Sequence, residues 1–197
     1  MNGGSTRPYG YLEIICGPMF SGKTSKLLEI FNQYAYCEVP VLVINYKGDT
    51  RYSSTHLTTH DRREIPCVFT EHLHNLDADE LTRCLVENSA VILVNEGQFF
   101  EDLFVWTKTQ VEKHAKSVYI AGLDGDFRRE TFGDLLKLIP LADKVTKLQS
   151  ICSQCRNGTP ALFSHRKTSE QTQKIIGTDE YIPVCRYCYL RLNDVSN

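Results

Sequence analysis

Between the apolar hexapeptide YLEIIC, residues 11–16, and a stretch of helical period starting at Lys23 stands the octapeptide GPMFSGKT, Gly17 to Thr24. It matches the phosphate-loop pattern G-x-x-x-x-G-K-[ST] in full, and such a loop works only where a buried strand hands over to a helix. Backbone amides converge there on phosphate oxygens, and the glycines let the main chain come close to them. Gly17, Pro18, Met19, Phe20, Ser21 and Gly22 form the expected cradle. Lys23 is placed to bridge the β and γ phosphates, and Thr24 to offer its hydroxyl to Mg²⁺. The competing explanation is a chance match in an ordinary strand-to-helix turn, against which strand, loop and helix follow in the required order. ATP or GTP binding is the expectation.

The rest of the chain fits that start. KTSKLLEIFNQYAY puts Leu27, Leu28, Phe31 and Ala35 at helical spacing, and VLVINY, PCVF, VILV and SVYIAGL read as strands. DELTRCLVEN reads as a helix with Leu81, Cys84 and Leu85 inward, and EDLFVWTKTQVEKHA as one with Leu103, Trp106 and Val111 inward. Strands alternating with helices predict an α/β fold with a largely parallel sheet, covered on both faces. LLKLIPLADKVTKL closes this part, with Pro140 as a breaker. From Ile151 the texture changes to Cys, Gly, Thr and polar residues. We therefore expect a flexible N-terminus over 1–10, a phosphate-loop domain over 11–150, a small module over 151–189 and a tail over 190–197.

The run VILVNEGQFF stops abruptly on Asn95 and Glu96. In phosphate-loop proteins a strand of this kind usually ends in an Asp that helps to hold Mg²⁺. Asn95 has an oxygen without the charge, so it is expected to act through its carbonyl by orienting metal-bound water. Glu96 is then available to take a proton from an acceptor hydroxyl. Its alternative role is that of a helix N-terminal acid for the segment that follows.

Eight cysteines divide into two groups. Cys16, Cys37, Cys67 and Cys84 are scattered and are expected to be reduced and partly buried. Cys152 and Cys155, in CSQC, pair with Cys185 and Cys188, in CRYC, as a four-thiolate structural Zn²⁺ site. Two disulfides or a redox C-x-x-C are the alternatives. A segment with little core of its own needs such a staple.

Composition narrows the partners. The net charge of −2 gives no global basic field for a nucleic-acid backbone. No apolar stretch reaches the length of a membrane span and MNGGSTRPYG lacks the apolar block of a signal peptide, so a cytoplasmic location is expected. The phosphate loop and thiolate pairs alone still permit a zinc-ribbon NTPase that binds nucleic acid through local patches such as Lys144, Lys147 and Arg156.

Taken together, GPMFSGKT, DTRYS with THDR downstream, NEGQFF, LDGDF, FGDLLKLIPLAD, CSQC and IIGTDEYIPVCRYCY resemble the type II thymidine kinases, the cytosolic vertebrate, poxviral and bacterial family, from about Tyr11 to Tyr189. That resemblance implies a zinc-ribbon lasso closing over thymidine, a homotetramer, phosphoryl transfer from ATP to the thymidine 5′-hydroxyl, and feedback inhibition by dTTP. By the same resemblance Glu96 matches the catalytic base. Asp49, Thr50, Arg51, Asn95, Gly97 and Gln98 match the ATP side. Met19, Phe127 and Phe132 match an apolar wall by the thymine, Phe132 being equally explicable as core. Thr172, Gln173, Lys174, Ile175 and Ile176 correspond to the lasso, expected to meet the base through backbone groups, and Tyr181 to a tyrosine at the sugar end. Asn95 departs from the family's usual Asp, which also leaves open a silent dTTP sensor.

Overall fold

The computed structural model describes residues 9–48, 56–58, 64–173 and 180–193. Asp49, Thr50, Arg51, Lys174, Ile175 and Ile176 therefore lie outside the described residues.

Six strands form one parallel sheet: β1 (Tyr11–Cys16), β2 (Val41–Tyr46), β5 (Val68–Thr70), β6 (Val91–Val94), β7 (Ser117–Gly122) and β8 (Lys144–Lys147), in the order β5-β2-β6-β7-β1-β8. A short antiparallel pair, β3 (His56–Thr58) with β4 (Glu64–Pro66), precedes β5. The expected PCVF strand is thus divided: Pro66 ends β4, and β5 starts at Val68. Proline, lacking an amide hydrogen, suits the end of a pair better than the middle of a sheet.

Alternate residues of each strand enter opposite cores. Leu12, Ile14 and Cys16 pack with Ile44, Ile92, Val94, Phe100, Leu103 and Trp106 on one face. Ile15, Val43 and Leu93 meet Leu27, Leu28 and Ile30 of α1 (Lys23–Tyr36) on the other. Complete burial of side chains such as Leu27 and Leu93 stabilises the sheet by about 1.5–3 kcal/mol each. Glu13, buried in β1, is matched by three donors: Tyr11 Oη at 3.1 Å, Thr146 Oγ1 at 2.8 Å and Lys144 Nζ at 3.0 Å. Burial and that carboxylate push the Tyr11 phenol up to about 12.

Two helix faces differ from the periodic reading. In α1, Ile30 is buried and Ala35 is exposed. After α2 (Asn75–Ala78), the helix α3 (Glu80–Asn88) leaves Leu81, Cys84 and Leu85 exposed and buries Val86. The cause is its cap: Asp79 accepts from Thr82 N at 2.9 Å, and Thr82 Oγ1 donates to Leu76 O at 2.9 Å, which fixes the helix's rotation from its first turn. In α4 (Leu103–Glu112), Leu103 and Trp106 are buried and Val111 is partly buried, as expected. Pro140 falls inside a short 3₁₀ helix, Leu135–Leu141, before β8. Among the scattered cysteines, Cys16 is buried and Cys67 half-buried, but Cys37 and Cys84 are exposed.

The C-terminal part holds two small antiparallel pairs, β9 (Ser150–Ile151) with β10 (Pro160–Ala161) and β11 (Phe163–Arg166) with β12 (Tyr181–Val184), followed by α5 (Arg186–Asn193). Its own apolar cluster is small: Cys152, Ala161, Val184, Cys185, Cys188 and Tyr189.

Candidate active site

The phosphate loop is held in a shape that few sequences tolerate. Gly17 has φ 149°, and a Cβ there would lie 2.5 Å from Leu148 O. Gly22, at φ 83°, turns the chain into α1 in a left-handed conformation. No side chain caps that helix start and no acid lies in its first turn, so the amides and the positive end of the dipole face the loop. Ser21 Oγ is buried there with no hydrogen-bond partner among the described residues. An unmatched buried hydroxyl costs about 1–3 kcal/mol, and a phosphate oxygen is the acceptor its position suits. Lys23 Nζ donates to Gly17 O at 3.1 Å and Pro18 O at 2.7 Å, so the ammonium lies over the loop. Thr24, in the first turn of α1, is half-buried. Met19 N donates to Ser164 Oγ, 2.9 Å away in β11, tying the loop tip to the C-terminal part.

Glu96 follows β6, whose Val94 is level with Ile120 of β7 and, through it, with Ile14 of β1. Two strand spacings, roughly 10 Å, therefore separate the chain at Glu96 from the phosphate loop. Glu96 takes a left-handed conformation, φ 55° and ψ 41°, at the entrance to a 3₁₀ turn over Gly97–Phe99. A non-glycine residue held there stores strain of the kind that gathers at functional sites. Its Oε2 accepts from Gln98 Nε2 at 2.7 Å, while Gln98 Oε1 accepts from Leu123 N at 2.9 Å. Buried Gln98 thus braces the carboxylate against the end of β7, and Gly97 is buried against Ile120.

Asn95 has a partner that the sequence did not disclose. Its Nδ2 donates to Asn45 Oδ1 at 3.0 Å, and both side chains are buried. Ile44 pairs with Val94, so the two asparagines face each other across the ends of β2 and β6. The amide at 95 gives a donor to Asn45 Oδ1 and keeps its own oxygen as an acceptor. An aspartate would have no hydrogen to give.

The aromatic side of the site is organised by two charged residues that motif reasoning passed over. Arg166 is buried, with its guanidinium 3.7 Å from the ring centre of Phe127. It donates to Glu170 O at 2.8 Å, Thr172 O at 2.6 Å and Gln173 O at 3.3 Å, and to the Tyr181 hydroxyl. Two carbonyls of the segment expected to form the lasso, and Tyr181, are therefore gathered on one cation. Asp126, also buried, accepts from Arg128 N at 2.8 Å and Glu130 N at 3.0 Å, and from Gln173 Nε2 at 2.8 Å. It shapes the turn that carries Phe127 and holds the lasso to it. Phe132 is buried edge-on against Phe99, with ring centres 5.3 Å apart, which is a packing role. Met19 is half-buried at the loop tip. The signal available beforehand was position alone: Asp126 stands in LDGDF, and Arg166 is a charge inside a strand pair.

Cys152, Cys155, Cys185 and Cys188 bring their sulfurs within 4.8 Å of one another. Cys155 Sγ lies 3.5 Å from Cys188 Sγ and 3.8 Å from Cys185 Sγ. Tetrahedral thiolates at the usual Zn–S length stand roughly 3.8 Å apart, so the set fits a structural zinc. Burial opposes ionisation of Cys152, yet amides of Cys155 and Cys185 bring its thiol down to about 6, while burial and the neighbouring sulfurs push Cys188 up to about 12. Four thiols this close ionise together only around a cation.

A phosphate loop on a parallel α/β sheet, with a braced acid two strands away and a four-thiolate ribbon, defines a nucleotide-phosphate enzyme with a zinc-holding module. The family model for thymidine kinase matches residues 10–189. The chain is 38% identical to the thymidine kinase of Sheeppox virus over 92% of its length and 97% of that protein. It is 36% identical to the cytosolic thymidine kinase of Gallus gallus, covering 96% of this chain and 81% of the relative. With the thymidine kinase of Oryza sativa it shares 40%, over 92% of this chain and 66% of the relative. The chain belongs to the thymidine kinase family. Among the described residues no helix is long and apolar enough to cross a membrane.

Proposed function

We propose that this chain transfers the γ-phosphoryl group of ATP to the 5′-hydroxyl of thymidine, giving dTMP and ADP. Family membership supports the reaction, and the observation that carries the residue assignment is the Glu96 carboxylate, braced by Gln98 at the same sheet edge as the phosphate loop. The zinc-ribbon NTPase that binds nucleic acid is not favoured.

In this reading the amides from Gly17 to Gly22 and the Lys23 ammonium hold the β and γ phosphates. Thr24 Oγ1 would hold the Mg²⁺ that travels with ATP, and the Asn95 carbonyl would orient its bound water. That ion would neutralise charge on the phosphates. Glu96 accepts the proton of the 5′-hydroxyl as O5′ bonds to the γ-phosphorus, and the bond from that phosphorus to the β–γ bridging oxygen breaks, releasing ADP. Asp49, Thr50 and Arg51 are assigned to the ATP side, with Arg51 neutralising charge on the transferring group. Phe127 and Met19 flank the thymine, and residues 172–176 with Tyr181 close over the nucleoside. The ribbon, residues 151–189, is a substrate cover whose zinc takes no part in chemistry. A homotetramer, inhibition by dTTP and a cytoplasmic location complete the proposal, the last in keeping with relatives named cytosolic.

The test is ADP release by the zinc-loaded protein with ATP and Mg²⁺, comparing thymidine, deoxyuridine, deoxycytidine, deoxyguanosine and single-stranded DNA. Thymidine should drive release with dTMP formed in step. Stimulation by DNA alone, or dTTP binding without any nucleoside response, would overturn the reading.

A further inference from the structure

Away from the residues assigned to the reaction, the segment after β5 reads Glu71-His72-Leu73-His74. Leu73 is fully buried in the first core cluster and anchors the segment, while His72 is half-buried and His74 exposed. The two imidazole rings lie 5.3 Å apart, inclined by 31°. Asp102, at the start of α4, reaches back to them. Its Oδ1 accepts from Leu73 N at 3.1 Å, and its Oδ2 accepts from His74 N at 2.8 Å and pairs with His74 Nδ1 at 2.8 Å. Thr70 Oγ1 donates to His72 O at 2.7 Å and fixes the remaining backbone. One ligand atom from each of His72, His74 and Asp102 lies within 4.8 Å of the other two.

The geometry points to a second metal site, formed by His72, His74 and Asp102, for a borderline divalent transition ion such as Zn²⁺, Co²⁺ or Ni²⁺. Two imidazoles and one carboxylate select such ions over Mg²⁺ and Ca²⁺, which take oxygen ligands. The site differs in kind from the four-thiolate cluster, because three protein ligands leave a coordination position open to solvent.

A carboxylate serving only as a clamp for the turn accounts for the bonds from Leu73 N and His74 N. It does not account for two imidazoles brought to the same carboxylate from either side of a buried leucine. The frame is already set by backbone hydrogen bonds, so an ion orders little on entering. On binding, the hydrogen bond between His74 Nδ1 and Asp102 Oδ2 breaks, the neutral imidazole carries its one proton on Nε2, and metal–nitrogen and metal–oxygen bonds form in its place. The 2.8 Å separation then opens to about 3.4 Å, as a tetrahedral angle between bonds of ~2.0–2.2 Å requires. The ion would join the turn after β5 to the start of α4, and it does not depend on the assignment of thymidine as substrate.

The experiment titrates untagged protein, its four-thiolate site already filled with Zn²⁺, with Co²⁺ under calorimetry and visible absorption. One further equivalent should bind, with ligand-field bands and no thiolate-to-cobalt charge transfer. Affinity should fall at least about 10-fold in His72→Ala and binding should vanish in the His72→Ala/His74→Ala double variant. Both residues carry exposed surface, so a thermal melt of each variant without added Co²⁺ should match the parent. Absence of the extra equivalent, binding accompanied only by thiolate bands, or unchanged binding in the double variant would overturn the proposal.

Discussion

The two halves of the proposed site, one for phosphate and one for the nucleoside, are built differently. The phosphate side is contiguous: Gly17 to Thr24 supply backbone amides, and their shape is set by two glycines and the start of α1. The nucleoside side is assembled from distant side chains, with Arg166 gathering Thr172 O, Gln173 O and Tyr181, and Asp126 holding Gln173. A site made of local backbone can be altered only by changing the chain's path. One made of long-range hydrogen bonds to a buried cation is vulnerable at a single side chain.

The ribbon offers the largest break in this comparison. Cys155→Ser should abolish zinc retention and lower thymidine-dependent turnover by about 10³-fold, since the small cluster around the thiolates has little else to fold on. ATP affinity should stay within a few-fold, because β1 and α1 belong to the large cores. Metal analysis and nucleotide binding on the same preparation check both parts. Equal loss of ATP binding would show that the Met19–Ser164 bond makes the two halves one folding unit.

Arg166→Met sharpens the contrast next. Hydrogen bonds to a charged group contribute about 1.5–3 kcal/mol each, so losing those to the lasso carbonyls should raise the KM for thymidine by roughly 10- to 100-fold. The KM for ATP should hardly move. Steady-state kinetics with each substrate varied in turn will show the split, and a shared rise in both constants would refute it.

A smaller effect is expected at the end of β2. Asn45→Leu leaves the buried Asn95 Nδ2 without its acceptor, at about 1–3 kcal/mol of stability. It also frees the Asn95 carboxamide to turn, so the Mg²⁺ concentration for half-maximal rate should rise a few-fold. Denaturant unfolding and a Mg²⁺ titration measure the two consequences. Asn45→Asp, which retains an acceptor oxygen, should restore most of the stability. The smallest effect belongs to the exposed face of α3: Leu85→Ser should change stability by less than about 0.5 kcal/mol.

Legibility in the sequence followed the same division. The strands from Tyr11 and Val41 and the helix from Lys23 were readable because a parallel sheet buries continuous apolar runs and the loop motif fixes what flanks it. The four thiolates were readable from paired spacing. The inward face of α3 was misread because its rotation is set by the Asp79–Thr82 cap and not by its leucines. Arg166, Asp126 and Asn45 were missed because each matters through a partner far away in the chain, and a single sequence has no period or spacing that marks such a pair. Asn95 shows the limit well. Its departure from the Asp expected at the end of such a strand was visible, whereas its partner, an acceptor on the neighbouring strand, needed the register of β2 and β6.

The central claim is that Glu96 acts as the base at the phosphate loop's edge of the sheet, and the measurement that tests it most directly is the rate of dTMP formation by Glu96→Gln at saturating ATP and thymidine. The substitution keeps the side chain's shape and its hydrogen-bond contact with Gln98. Turnover should fall by about 10²–10⁴-fold with ATP affinity unchanged. A rate within a few-fold of the parent, on protein that still binds ATP, would contradict the account and return Glu96 to a purely structural place at the turn.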